Sequence, residues 1–75
     1  MKELVEVIAR SLVSQPENVV VTEEENDREV VLTLTVDPSD MGKVIGKQGR
    51  IAKAIRTVLK AQAIREDKRV TLDIG

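Results

Sequence analysis

Residues 42–51 read GKVIGKQGRI and hold three of the four glycines in the chain. Each of these glycines is followed directly by a lysine or an arginine. The surrounding residues are typical of helices, although a glycine inside a helix costs about 0.5–1 kcal/mol relative to alanine. Glycines placed at that cost indicate a turn, a close approach of the backbone to a ligand, or both.

Charge is distributed unevenly along the 75 residues, although the net charge is only −1. Residues 1–40 carry ten acidic and three basic side chains, a net charge of −7, and residues 41–75 carry nine basic and three acidic ones, a net charge of +6. The segment from Lys43 to Lys60 holds six cations and no anion. Such asymmetry indicates a nucleic-acid or membrane partner. The alternative is a solvated helix face beside an unrelated acidic loop.

The composition excludes several kinds of site. The chain has no cysteine, histidine or aromatic residue, so disulfides and nucleophile–histidine pairs are excluded and a zinc site would need carboxylates alone. No pair of titratable groups shares a predicted pocket, so we expect no enzyme, no cofactor and no small-molecule substrate. No apolar run approaches the length of a membrane span, and the N-terminus alternates charged and apolar residues, unlike a signal peptide. The sequence therefore predicts a cytoplasmic protein without a membrane partner.

Periodicity outside the glycine-rich stretch predicts one helix and three strands. Apolar residues at spacings of one, three and four indicate an amphipathic helix over 2–14. Residues 18–25 and 30–36 are rich in β-branched residues and flank a polar turn, which predicts an antiparallel hairpin. Alternation over 69–74 predicts the last strand.

Two helices are predicted between the second and third strands. The first spans 38–45, with Asp37 as its N-cap, Asp40 able to reach back to the helix start, and Gly46 at its end. The second begins near Gly49 and runs to about residue 63. The order α-β-β-α-α-β predicts a single α+β domain, a two-layer sandwich with three helices on one face of a three-stranded sheet.

The longer helix has an apolar side and a basic side. The apolar residues predicted to face the core are Ile51, Ala54, Ile55 and Val58, flanked by Ala52 and Leu59. The cations predicted on roughly the opposite side are Lys53, Arg56 and Lys60, with Arg50 at the edge.

The glycine loop lies where a phosphate could bind. A bare G-x-x-G is weak evidence, because a helix that ends in glycine before a tight turn gives the same pattern. Here, however, the first N–H groups of the next helix are unpaired and carry the positive end of the helix dipole. The loop does not fit a P-loop, because Gly42 and Gly46 are one residue too close and Gln48 replaces the required Ser or Thr. It also lacks the G-x-G-x-x-G of dinucleotide-binding folds.

The stretch VIGKQGRIAKAI (Val44–Ile55) resembles the signature of the KH domain, in which an Ile-Gly-x-x-Gly loop joins two helices and holds nucleic-acid backbone. The predicted element order is similar to the type II, prokaryotic arrangement. The short chain is similar to the small bacterial KhpA family of RNA-binding proteins. One departure is Ala52, which stands where many KH domains carry a bulky aliphatic residue.

The resemblance implies a set of RNA-binding residues. Gly46 and Gly49 would be the loop glycines, Lys47 and Gln48 would lie over the phosphates, and Ile45 would line the groove. Further cations that would contact phosphates are Lys43, Arg50, Lys53 and Arg56.

The leading hypothesis is a single-stranded RNA-binding module of low sequence specificity, because no aromatic side chain is present for bases to stack on. The resemblance also implies a homodimer, or a heterodimer with a larger KH-containing protein. The alternative is a protein–protein adaptor or dimerisation module whose glycine loop is purely structural.

Overall fold

The computed structural model describes all 75 residues and contains three strands, three α-helices and three 3-10 turns. The strands are β1 (Val20–Glu25), β2 (Glu29–Thr35) and β3 (Arg69–Ile74). The helices are α1 (Lys2–Leu12), α2 (Met41–Ile45) and α3 (Arg50–Arg65). The 3-10 turns are Pro16–Asn18, Pro38–Asp40 and Lys47–Gly49. The predicted α-β-β-α-α-β order is therefore confirmed. None of the helices combines the length and hydrophobicity needed to cross a bilayer.

The sheet is mixed, with β2 between β1 and β3. β1 pairs with β2 in antiparallel register, as the hairpin prediction requires, and Asn26 closes the turn by accepting the N–H groups of Arg28 and Glu29 at 2.8 and 2.9 Å. β3 pairs with β2 in parallel register, with Leu72 opposite Leu32. A parallel neighbour requires a crossover connection, and α2, the glycine loop and α3 supply it. β3 is thus an edge strand at the end of the crossover.

One face of the sheet supports all three helices. The buried hydrophobic cluster consists of Val5, Ala9, Val19, Val21, Val30, Leu32, Leu34, Val36, Val44, Ile55, Leu59 and Leu72. Leu32, Leu34 and Val36 are buried as their alternation predicts, whereas Thr35 on the opposite side is exposed. The core is built entirely from aliphatic residues of the helices, the sheet and the segments that join them.

The orientation of α3 differs from the prediction. Its buried residues are Ala52, Ile55, Leu59 and Ala63. Ile51 is only half-buried, Ala54 is exposed and Val58 is 49% exposed. The prediction gave weight to the largest aliphatic side chains, but the buried side of α3 includes two alanines. Ile51 and Val58 instead lie on the flank of α3 that faces α1.

Asp40 connects two segments that are distant in sequence. The sequence predicted that its side chain reaches back to the start of its own helix, but it makes no such cap. It is instead almost fully buried and accepts the N–H groups of Ser14 at 3.1 Å and Gln15 at 3.0 Å. Asp37 does act as an N-cap, accepting the N–H of Ser39 at 2.9 Å. Asp40 therefore fixes the end of α1 against the start of α2, the helix that leads into the glycine loop.

Candidate nucleic-acid interface

The loop between α2 and α3 has a backbone that requires its glycines. Gly46 has φ 78° and ψ 170°, and Gly49 has φ 74° and ψ 14°, both in regions that L side chains rarely adopt. Gly46 ends α2 by donating its N–H to the carbonyl of Gly42 at 2.8 Å, and Gly49 donates to the carbonyl of Gly46 at 3.1 Å. The chain thereby reverses within a few residues.

Gln48 shares this unusual conformation without being a glycine. Its φ of 59° and ψ of 23° are left-handed, a conformation that is uncommon for a residue with a side chain. Its amide oxygen accepts a hydrogen bond from Nη2 of Arg50 at 3.3 Å. The two exposed side chains are thus linked at the tip of the loop.

The N-terminus of α3 lies directly at the loop. Gly49 is its N-cap, and no side chain caps the first turn. Orphan N–H groups at a helix start, together with the helix dipole, favour an anion. Lys47 and Arg50 are both exposed beside this end of the helix. The structure therefore brings five of the predicted residues together, namely Gly46, Lys47, Gln48, Gly49 and Arg50.

The two predicted residues of α2 have different surroundings. Ile45 is half-buried and packs against the core. Lys43 is half-exposed, and its ammonium lies 3.1 Å from Oδ1 of Asp40 and also donates to Oγ of Ser14. The Ser14 N–H, the hydrogen bond and charge of Lys43, and the Gln15 N–H together hold the pKa of Asp40 below its usual value against the opposing effect of burial. Lys43 is therefore already paired with a carboxylate of its own chain.

A cleft of about 260 Å³ separates α3 from the edge strand β3. Its lining residues are Arg56, Leu59, Lys60, Val70, Thr71 and Leu72. Arg56 donates from both Nε and Nη2 to the carbonyl of Leu72, at 3.3 and 3.0 Å. Lys53 is exposed one turn before Arg56, so the cations along this flank of α3 are Lys53, Arg56 and Lys60.

Sequence reasoning did not identify the floor of this cleft. Lys60 was outside the predicted set of binding residues, and Val70 and Leu72 were expected only as strand residues. The i,i+4 spacing of Arg56 and Lys60 puts both on one helix flank and could have linked them. No local pattern, however, indicates which strand α3 packs beside.

An apolar surface lies on the other flank of α3, where it meets α1. Its lining residues are Ile8, Leu12, Arg50, Ile51, Ala54, Ile55 and Val58. Arg50 is the only charged residue among them. Four of these residues were predicted to face the core, namely Ile51, Ala54, Ile55 and Val58, but only Ile55 is buried. The exposure of the other three leaves α1 and α3 with a shared hydrophobic face.

Comparison with known proteins identifies the family. Residues 2–74 match the family model described as KhpA/KhpB, KH domain. The chain belongs to this family. The resemblance inferred from the glycine loop is thus confirmed, and the mixed three-stranded sheet with three helices agrees with the type II arrangement.

Similar proteins cover almost the whole chain. A protein of Clostridium perfringens named RNA-binding protein KhpA is 64% identical over 74 residues, which are 99% of both chains. Proteins of the same name from Clostridium acetobutylicum and Aquifex aeolicus are 60% and 51% identical over 74 residues, covering 99% and 94% of their own lengths. No solved structure gives a significant match. Membership in a family of binding proteins confirms the expectation that the chain is not an enzyme.

Proposed function

We propose that this chain is a single-stranded RNA-binding module of the cytoplasm, with residues 1–75 acting as one KH domain. The observation that carries the proposal is the Gly46–Gly49 loop at the uncapped N-terminus of α3. The names of the KhpA relatives support the choice of RNA as the ligand.

The loop would hold the sugar-phosphate backbone. Gly49 lets the backbone approach a phosphate closely, because the space that its Cβ would occupy is open. Gly46 makes room for Ile51 and allows the turn. The N–H of Arg50 already donates to the carbonyl of Lys47, so α3 would attract the phosphate through the positive end of its dipole. Lys47 and Arg50 add charge at the same end of the helix, and the amide of Gln48 adds a hydrogen-bonding group.

The bases would lie in the cleft between α3 and β3. The half-buried Val70 would provide an apolar contact there, above the buried Leu59 and Leu72. Lys53, Arg56 and Lys60 lie along the α3 side. Stacking on an aromatic side chain contributes about 1–3 kcal/mol per base, and this chain has none. One domain should therefore bind weakly, with little sequence discrimination and a strong dependence on salt.

The loop hypothesis is tested by the double variant Lys47→Asp, Gln48→Asp. We expect it to fold and to lose most RNA affinity, measured by fluorescence anisotropy at several salt concentrations. The matched control is the double variant Lys2→Asp, Thr22→Asp. It lowers the net charge by the same amount as the loop variant, but on α1 and β1. Unchanged RNA affinity in the loop variant, or an equal loss of affinity in the control, would contradict the proposal that the loop holds the RNA backbone.

A second proposal concerns pairing, and the apolar surface of α1 and α3 supports it. We propose that this surface joins two copies of the chain, or one copy and a larger KH-containing protein. Apolar faces of this kind mark interaction sites. Pairing would also raise the affinity for RNA. Once one domain holds a strand, the linked domain binds the same strand at a high effective concentration, so the affinity rises although each domain makes no new contact.

The variant Val58→Asp tests pairing, with Val20→Asp as its control. The two valines are similarly exposed, at 49% and 54%, but Val20 lies on β1, away from the apolar surface. Sedimentation should show a loss of the paired species for Val58→Asp only. If the chain pairs normally but binds no RNA, with or without the loop substitutions, it is an adaptor whose glycine loop is structural.

A further inference from the structure

Arg56 is held in a fixed orientation within the cleft between α3 and β3. Its Nε and Nη2 both donate to one acceptor, the carbonyl of Leu72, at 3.3 and 3.0 Å. These two nitrogens form one side of the planar guanidinium. Arginine carries five N–H donors, so the end of the group, formed by Nη1 and the second hydrogen of Nη2, remains free to donate to another acceptor pair.

We propose that Arg56 reads a guanine base in the RNA bound by this cleft, a role that rests on the RNA-binding function proposed above. The free end of the guanidinium is a two-donor fork, and O6 and N7 of guanine are two adjacent acceptors that accept such a fork in a bidentate pair. The carbonyl of Leu72 fixes the plane of the fork before RNA binds. A preorganised side chain loses less conformational freedom on binding.

The lining of the cleft favours a base over a phosphate at this position. Three of the six lining residues are apolar, namely Leu59, Val70 and Leu72. Val70 is the most exposed of the three, and an apolar side chain there suits the flat face of a base better than a hydrated anion. Phosphates have a separate place to bind, at the uncapped start of α3. Arg56 is thereby distinguished from Lys47 and Arg50, which flank that helix end.

The charged side chains of the cleft favour guanine over adenine and uracil. The charged side chains lining the cleft, Arg56 and Lys60, are donors only, and no carboxylate or side-chain amide lines it. The Leu72 carbonyl already accepts from Arg56. Adenine presents an amino donor where guanine presents O6, and uracil offers no second acceptor next to O4. Cytosine also presents an acceptor pair, O2 and N3, so the experiment compares it directly with guanine.

The experiment compares uridine octamers that carry one central guanosine, adenosine or cytidine, using fluorescence anisotropy with the full chain. We expect the guanosine octamer to bind at least about fivefold more tightly than the adenosine and cytidine octamers. That factor is the lower end of what one bidentate pair contributes. Replacing guanosine with 7-deazaguanosine, which lacks the N7 acceptor, should remove most of this preference. Inosine keeps O6 and N7 and should retain it. A preference for cytidine would overturn the choice of base.

Arg56→Lys supplies the protein-side test because it keeps the charge and removes the fork. We expect it to lose the preference for guanosine, so that it binds the guanosine and 7-deazaguanosine octamers equally. Equal binding of guanosine and 7-deazaguanosine octamers by the wild type would overturn the proposal without any variant. A guanosine preference that survives in Arg56→Lys, or a uniform loss across all octamers, would also overturn it. Failure of every octamer to bind the wild type would overturn the RNA-binding function itself, and this inference with it.

Discussion

A Cβ atom at Gly46 would lie 2.6 Å from Cγ1 of Ile51, whereas a Cβ atom at Gly49 would meet no atom within 4 Å. Both glycines have a positive φ. Gly46 is therefore required by both space and conformation, and Gly49 by conformation alone. The two ends of the loop should tolerate substitution differently.

We expect Gly46→Ala to lower the free energy of unfolding by about 2–4 kcal/mol, because overpacking against Ile51 adds to the cost of a positive φ. Gly49→Ala should cost about 1–2 kcal/mol. Gly42→Ala is the control, since Gly42 lies in α2 with open space around it, and should stabilise the protein by about 0.5–1 kcal/mol. Urea unfolding measures all three. Equal losses for Gly46→Ala and Gly49→Ala would contradict the contact with Ile51.

The stability of the fold should fall in acid through Asp40. Its N–H donors and Lys43 lower its pKa in the folded protein below the ordinary value of 3.8. A lowered folded pKa means that the carboxylate stabilises the fold above the unfolded pKa, and that this stabilisation is lost as pH falls through the folded value. We expect the melting temperature to be flat from about pH 5 to 7 and to fall below about pH 4.

Asp40→Asn removes this titration. The variant should melt at a lower temperature than the wild type at neutral pH, because an amide offers one acceptor oxygen where the carboxylate offers two, one for each of the Ser14 and Gln15 N–H groups. Its melting temperature should then fall less steeply in acid. Asp37→Asn is the comparison, since the hydroxyl and N–H of Ser39 lower the pKa of Asp37 at an exposed site. A wild-type acid profile retained in Asp40→Asn would assign the pH dependence to other groups.

Lys43 and Lys47 should differ as RNA contacts although both flank the loop. Lys43 is paired with Asp40, whereas Lys47 is exposed at the turn. We expect Lys47→Met to weaken RNA binding and reduce the salt slope by about 0.7, the value for one phosphate contact on a single strand. Lys43→Met should leave the slope unchanged and lower the melting temperature, because it leaves the buried carboxylate without its cation. The reverse pattern would show that Lys43 leaves Asp40 to bind phosphate.

The sequence predicted the elements and the loop more accurately than it predicted how they pack. Alternation in β2 and the polar turn at Asn26 are local, so the hairpin followed from them. The exposed side of α3 did not follow from local pattern, because Ala52 and Ala63 are buried while the larger Val58 is 49% exposed. The contact between Arg56 and Leu72 joins a helix to a strand 16 residues later, and only the packed fold brings them together.

Ala52 gives a final test of this packing. It is 3% exposed on the side of α3 that faces the core, and it does not line the cleft beside β3. We expect Ala52→Ile to lower the free energy of unfolding by about 1–3 kcal/mol through overpacking. Ala54→Ile, two residues later on an exposed part of the same helix, should change it by about 0.5 kcal/mol or less. Urea unfolding distinguishes them, and an Ala52→Ile variant as stable as the wild type would show that this position has room for the bulky aliphatic residue that many KH domains carry.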